Sequence, residues 1–294
     1  MNDGGERVVR HSPSRGPGSP HVWGLYDPPS GSIQYVLACP ATRACAIVDP
    51  VWGFDMRAAR TDTAAMEQVL ALVAAEGLAV EWVLDTHPHA DHFTASALLA
   101  ERTGARTAIG GRCAQVAELW EGFYARDLAL GYDRLWSDGE TFALGDLTVR
   151  VMLTPGHTLA SVAYVAGDAA CIHDTLMQPD SGTSRCDFPG GSAADLWASI
   201  ERILALPDAT RLFVGHDYRP GGREPRWEAS VEEQRDNIHL EGRTREEWIA
   251  LREARDATLP LPERMLAALQ VNLAGGRLPK LNGQDMLSLP VNRF

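Results

Sequence analysis

Lysine is almost missing from this chain. Of 27 basic residues in 294, Lys280 alone is a lysine and the rest are arginine. A Schiff-base or general-base lysine therefore has one candidate, in a Pro- and Gly-rich C-terminal stretch. Positive charge is short overall, since 39 acidic residues give a formal net charge of −12. Nucleic-acid binding rests on phosphate contacts from a basic face, so this balance speaks against it. Cysteine is sparse and scattered: Cys39, Cys45, Cys113, Cys171 and Cys186, with no C-x-x-C pair. That opposes a disulfide framework or thiolate zinc knot and favours a reduced, cytoplasmic setting. No apolar run approaches the roughly 20 residues of a membrane helix. Residues 1–20 are rich in Gly, Ser, Pro and Arg without the apolar centre of a signal peptide, and are expected to form a flexible tail.

What remains is 45% apolar and 22% charged, an ordinary globular composition. Strand-like and helix-like segments alternate, which gives an α/β reading. Ser32–Ala38 and Ala44–Asp49 read as a hairpin, and Thr63 as the N-cap of a helix through Glu76 that stops at Gly77. Strands are expected at Val80–Asp85, Arg106–Ile109, Leu147–Leu153, Ser161–Ala166, Ala169–His173 and Arg211–Val214, with helices near Thr94–Arg102 and Ala193–Leu204. Ser230–Asn237 and Thr244–Asp256 are amphipathic helix candidates, and no periodicity is evident after Leu259. The domain is expected over 21–258, with 259–294 as an extension packed on it. Several strands run into His or Asp: His87 and His89, His157, Asp174, His216. Open α/β sheets place their chemistry at such strand ends.

The run His87-Pro88-His89-Ala90-Asp91-His92 has the form H-x-H-x-D-H. In an extended segment residues two apart point the same way, so His87 and His89 can face one ion, and the following turn brings Asp91 and His92 to it. Imidazole and carboxylate donors without thiolate suit Zn²⁺, Fe²⁺ or Mn²⁺.

This run resembles the signature of the metallo-β-lactamase superfamily, and His157 in TPGHT, Asp174 in HDT and His216 in GHDY match the rest of its ligand set. The resemblance implies a four-layer αββα sandwich with metal at the sheet edge. A narrower resemblance, to the persulfide dioxygenases and the bacterial β-lactamase-like hydrolase branch, is carried by Gly182-Thr183-Ser184-Arg185-Cys186-Asp187-Phe188-Pro189-Gly190-Gly191, by His216-Asp217-Tyr218 and by Gln270-Val271-Asn272. It implies one Fe(II) per chain, with zinc as the alternative, held by His89, His157 and Asp174. His87, Asp91, His92, His216 and Asp187 would then lie outside that shell or form a second metal position. Glutathione persulfide and O2 would be the substrates, with Arg185 on the glutathione carboxylate and Tyr218 at the wall of the site. A homodimer is the expected state. The alternative is a dinuclear zinc thioesterase of the glyoxalase II type. One departure stands out: the superfamily's usual glycine before the metal-binding aspartate is His173 here. That imidazole could approach the metal, hydrogen-bond Asp174 or point into the opposite layer, and strand alternation favours the last.

Overall fold

The computed structural model describes residues 7–124 and 128–292. Two mixed sheets stack face to face. The first has seven strands in the order Val9–Ser12, His21–Asp27, Ser32–Ala38, Ala44–Val48, Ala79–Leu84, Arg106–Gly110 and Arg134–Trp136, antiparallel up to Ala44–Val48 and parallel after it. The second has six: Thr141–Leu144, Leu147–Leu153, Val162–Ala166, Ala169–His173, Arg211–Val214 and Glu228–Ser230. Only Ala169–His173 and Arg211–Val214 run parallel there.

Ile33, Tyr35 and Leu37 of the first sheet share one core with Val149, Val151 and Tyr164 of the second. The Tyr35 hydroxyl crosses the layer to donate to the Val214 carbonyl. The outer face of the first sheet carries Trp23, Leu25, Val36 and Ile47, covered by α1 (Ala64–Ala75) and α2 (Ser96–Thr103). Helix α3 (Cys113–Tyr124) caps one rim with Trp120. Helices α4 (Ala193–Leu204) and α6 (Arg245–Asp256), with the short α5 (Val231–Gln234) between them in sequence, complete the fourth layer through Leu196, Ile200 and Trp248. The expected αββα sandwich is thus the observed one. Among the described residues no helix is long and apolar enough to cross a membrane.

Local chemistry explains most boundaries. Met66, Val69 and Val73 recur at helical spacing and are the buried face of α1. Its expected cap, Thr63, makes no side-chain bond; Asp62 Oδ1 instead accepts from the Ala64 N–H at 2.6 Å. Gly104 ends α2 in the left-handed conformation, φ 74°. Thr244 and Glu247 form a reciprocal capping box on α6.

Two expectations need correcting. Residues 9–20 are not a loose tail: Val9–Ser12 pairs with His21–Asp27. The fully buried Arg211 guanidinium donates to Ser12, Pro13, Ser19 and Pro20 while paired with Asp168 at 2.9 Å. Residues 1–6 of that tail lie outside the described residues, as do 293–294 of the extension. Second, the stretch after Leu259 contains a helix, α7 (Met265–Asn272), in which every residue except Leu266 is buried. A helix buried on nearly all sides, with Gln270 and Asn272 among its buried residues, leaves no periodic stripe to read.

Candidate metal centre

Five strand ends meet at one edge of the sandwich. Asp49 follows Ala44–Val48, the H-x-H-x-D-H run follows Ala79–Leu84, and His157 follows Leu147–Leu153. Asp174 follows Ala169–His173, and His216 follows Arg211–Val214. All of their side chains except Asp91 are buried.

Each imidazole is fixed from behind. His92 Nδ1 donates to the Phe93 carbonyl at 2.9 Å, His157 Nδ1 to the Arg185 carbonyl at 2.7 Å and His216 Nδ1 to the Gly31 carbonyl at 3.0 Å. His89 Nε2 donates to Asp49 Oδ1 at 2.8 Å. The Thr86 hydroxyl donates to Asp49 Oδ2 at 2.9 Å, so it accepts from His87 Nδ1 at 3.0 Å. In a neutral ring an acceptor behind one nitrogen fixes the tautomer and leaves the second nitrogen's lone pair free, the arrangement metal ligands adopt.

Those second nitrogens converge. His216 Nε2, His157 Nε2 and His87 Nε2 lie 3.4, 3.6 and 3.7 Å from Asp174 Oδ2, and His216 Nε2 lies 3.7 Å from Asp91 Oδ2. These gaps are long for hydrogen bonds. They suit donors sharing an ion through bonds of about 2.1 Å. His89 Nδ1, His92 Nε2 and Asp91 Oδ2 are buried without any hydrogen-bond partner. Orphaned buried donors of this type fit a metal.

Electrostatics agree. Burial, aided by neighbouring imidazoles, holds His87 and His89 well below the usual histidine range, so both are neutral at pH 7, as metal donors need to be. Burial pushes the Asp174 carboxyl up, but His216 and His173 outweigh it and keep the group well below the usual carboxylate range. A formally acidic chain thereby concentrates two carboxylates, Asp91 and Asp174, where a divalent cation would reverse the local potential.

Among the described residues four groups of donors close within 4.8 Å of one another, and one of them is His87, His157 and Asp174. His89, the histidine expected beside His157 and Asp174, belongs to the other three groups: with Asp91 and His92, with His87 and His173, and with Asp49 and Asp85. His87 and His89 both face inward, as their spacing requires, but Thr86 holds His87 through Nδ1 and Asp49 holds His89 through Nε2.

His173 is the clear correction. The register shifts between Cys171 and His173, and His173 has φ 37°. The left-handed backbone breaks strand alternation and turns the imidazole into the cluster, 1% exposed. Such a backbone at a non-glycine residue costs on the order of 1–3 kcal/mol.

Arg185 is engaged: Nε and Nη2 each meet an Asp187 oxygen at 2.7 Å, and Nη1 donates to the Pro260 carbonyl at 2.8 Å. Its bidentate fork is thus made with Asp187, which sits beside it and not on the donor cluster. Tyr218 stacks on His216 with centroids 6.2 Å apart and is 70% exposed. A cleft of about 580 Å³ opens from Asp91 and His92 toward Phe54, Arg57, Arg60 and Arg264.

Two residues outside the expected ligand and substrate sets hold the site together. Asp49, with φ 50° and no exposure, accepts from the Thr86 N–H at 2.7 Å as well as from His89. Asn272 of α7 donates to the carbonyls of His89 and His92 at 2.7 and 2.9 Å and accepts from the Thr94 N–H at 2.8 Å. A further support carries a pH dependence. His239 Nδ1 accepts from the Thr183 N–H at 3.0 Å, in the loop that bears Arg185. Burial and nearby guanidiniums lower its pKa to about 4. The unfolded chain takes up this proton near 6.5, so the contribution is full above that pH and is lost as pH falls toward 4. An NMR titration should place the ring's midpoint near 4; a midpoint near 6.5 would remove the Thr183 contact.

The superfamily profile described as "Metallo-beta-lactamase superfamily" matches residues 29–216. A "Beta-lactamase hydrolase-like protein" of Agrobacterium fabrum is 54% identical over 93% of this chain, and the chain spans only 65% of that relative's length. The "Probable metallo-hydrolase" of Burkholderia pseudomallei is 42% identical over 92% of this chain and 99% of its own. The crystal structure of ETHE1 from Myxococcus xanthus superposes with a TM-score of 0.71 at 31% identity, covering 86% of this chain and 98% of that one. With the sandwich, the strand-end donors and a profile spanning well over half the residues in agreement, the chain belongs to the metallo-beta-lactamase superfamily.

Proposed function

We propose that the protein is a mononuclear iron dioxygenase that oxidises glutathione persulfide with O2. The balance is GSSH + O2 + H2O → GSH + SO3²⁻ + 2 H⁺, with four electrons passing from the outer sulfur to O2. The observation that carries this reading is the likeness to ETHE1, a persulfide dioxygenase, across 86% of the chain. The donor chemistry supports it: His87, His157 and Asp174 make a two-histidine, one-carboxylate set, which leaves neighbouring positions for substrate sulfur and O2. Bound Fe(II) supplies the electron exchange with O2.

The chain's own residues bind and orient. Neutral His87 and His157 and ionised Asp174 hold the ion, while Asp49 and the Arg185 carbonyl keep two rings from turning. The 580 Å³ cleft has room for a tripeptide, and Arg57 and Arg60 line it beside Asp55, Asp62 and Glu263, so it offers groups of both signs to a substrate's carboxylates and amine. Arg185 takes such a carboxylate only by releasing Asp187. Fixing two reactants at one centre can supply roughly 7–11 kcal/mol of barrier lowering.

A second reading, a dinuclear zinc thioesterase of the glyoxalase II type, is favoured by the intact Asp91, His92 and His216 donors. Metal analysis with an oxygen electrode separates them. One iron per chain and O2 uptake on glutathione persulfide are expected; two zincs with thioester hydrolysis and no O2 uptake would replace the proposal.

A further inference from the structure

His173 stands where strand alternation should have turned a side chain away, and its environment is built to receive it. A Cβ on Gly215 would sit 2.2 Å from His173 Nδ1 and 2.3 Å from Asp174 Oδ1, so the bare backbone at 215 is the space the ring uses. Nδ1 lies 3.2 Å from Asp174 Oδ1, and Nε2 lies 3.3 Å from Asp49 Oδ2. Both ring nitrogens and Asp174 Oδ1 are buried without a hydrogen-bond partner, so the two approaches are ion-pair contacts and not aligned hydrogen bonds. The other oxygen of each carboxylate is already directed elsewhere: Asp174 Oδ2 toward His87, His157 and His216, and Asp49 Oδ1 onto His89.

From this geometry we infer that His173 is a positioning residue of the metal centre. It bridges Asp174 and Asp49, occupies Asp174 Oδ1 and leaves Oδ2 as the ligating oxygen. The line Asp174–His173–Asp49–His89 then fixes a carboxylate on one strand end and an imidazole on another with respect to each other. Without the bridge, Asp174 can rotate and offer both oxygens to the ion, which changes its coordination. Support from behind a ligand of this kind is worth about 10- to 100-fold in metal affinity. The inference rests on the metal-binding reading of the site, and not on iron or on persulfide.

The variant His173→Gly tests it cleanly, because glycine adopts φ 37° without strain and the fold is not stressed. Co(II) is the probe, read by competition with a chelator, by its visible absorption and by X-ray absorption counting of imidazole ligands. Against wild type, His173→Gly should bind Co(II) about 10- to 100-fold more weakly, with an altered absorption spectrum and the same number of imidazoles. His173→Asn, which tolerates the left-handed backbone and can still donate to Asp174, should recover part of the affinity. Unchanged affinity and spectrum would overturn the inference. Loss of one imidazole would overturn it in favour of direct ligation. A wild-type protein that binds no Co(II) would instead defeat the metal-binding reading, a separately visible failure.

Discussion

Asp174→Ala should give a folded protein that no longer retains metal. Asp174 is the one carboxylate on which four imidazoles converge: His87, His157 and His216 on Oδ2 and His173 on Oδ1, at 3.2–3.7 Å. It is the anionic member of the His87–His157–Asp174 set and is ionised at any working pH, since its neighbours outweigh the effect of burial. His87 and His157 remain neutral donors without it, but a cation in this buried space then faces two fewer carboxylate oxygens and gains one void. Loss of a direct ligand should exceed the roughly 100-fold that an outer partner costs. Elemental analysis after gel filtration, with circular dichroism as the folding control, measures it. Asp174→Asn keeps the shape and removes the charge, and should lose metal as well. Wild-type metal content in either variant would take Asp174 out of the ligand set.

The parts of this centre that could be read from the chain are those with short-range signatures. H-x-H-x-D-H announces a metal because its spacing is dense, and His157, Asp174 and His216 follow strands whose apolar runs are plain. Helix α4 reads correctly at both ends, since Ser192 caps it and its apolar face recurs at helical spacing. Other features depend on distance through space. His87 and His89 share a face and differ in which ring nitrogen is held from behind, so spacing cannot choose which one joins His157. His173 points inward because of a bulge and a positive φ, neither of which a pattern of alternation can reveal. Asp49 carries no motif around it, and Asn272 lies on a helix too buried to show a stripe. Both act by reaching loops far away in sequence, His89 being 40 residues from Asp49 and 183 from Asn272.

The same long reach makes Asp256→Ala the most damaging change expected away from the metal. Arg252 and Asp256, each 2% exposed, pair across one turn of α6, with Arg252 Nε 2.9 Å from Asp256 Oδ1. Their remaining atoms serve the loop that bears Arg185: Arg252 Nη1 donates to the Thr183 carbonyl at 3.1 Å, and Asp256 Oδ2 accepts from the Cys186 N–H at 2.8 Å. Between those anchors lies Arg185, whose carbonyl holds His157 Nδ1. Truncating one partner leaves a buried guanidinium without its counter-charge, which costs about 3–5 kcal/mol. Against a total stability of roughly 5–15 kcal/mol that is a large share, and it should lower the thermal midpoint by on the order of 10 °C. Metal affinity should fall too, by about tenfold, because the carbonyl behind His157 is no longer fixed. The double variant Arg252→Met/Asp256→Leu separates the two effects. It removes both charges and should recover most of the stability. It cannot restore the acceptor for the Cys186 N–H, so the metal affinity should stay low. If the double variant were as unstable as Asp256→Ala, the buried charge would not be the cause. If it regained full metal affinity, the path from α6 through residues 183–186 to His157 would not be the connection that positions the ligand.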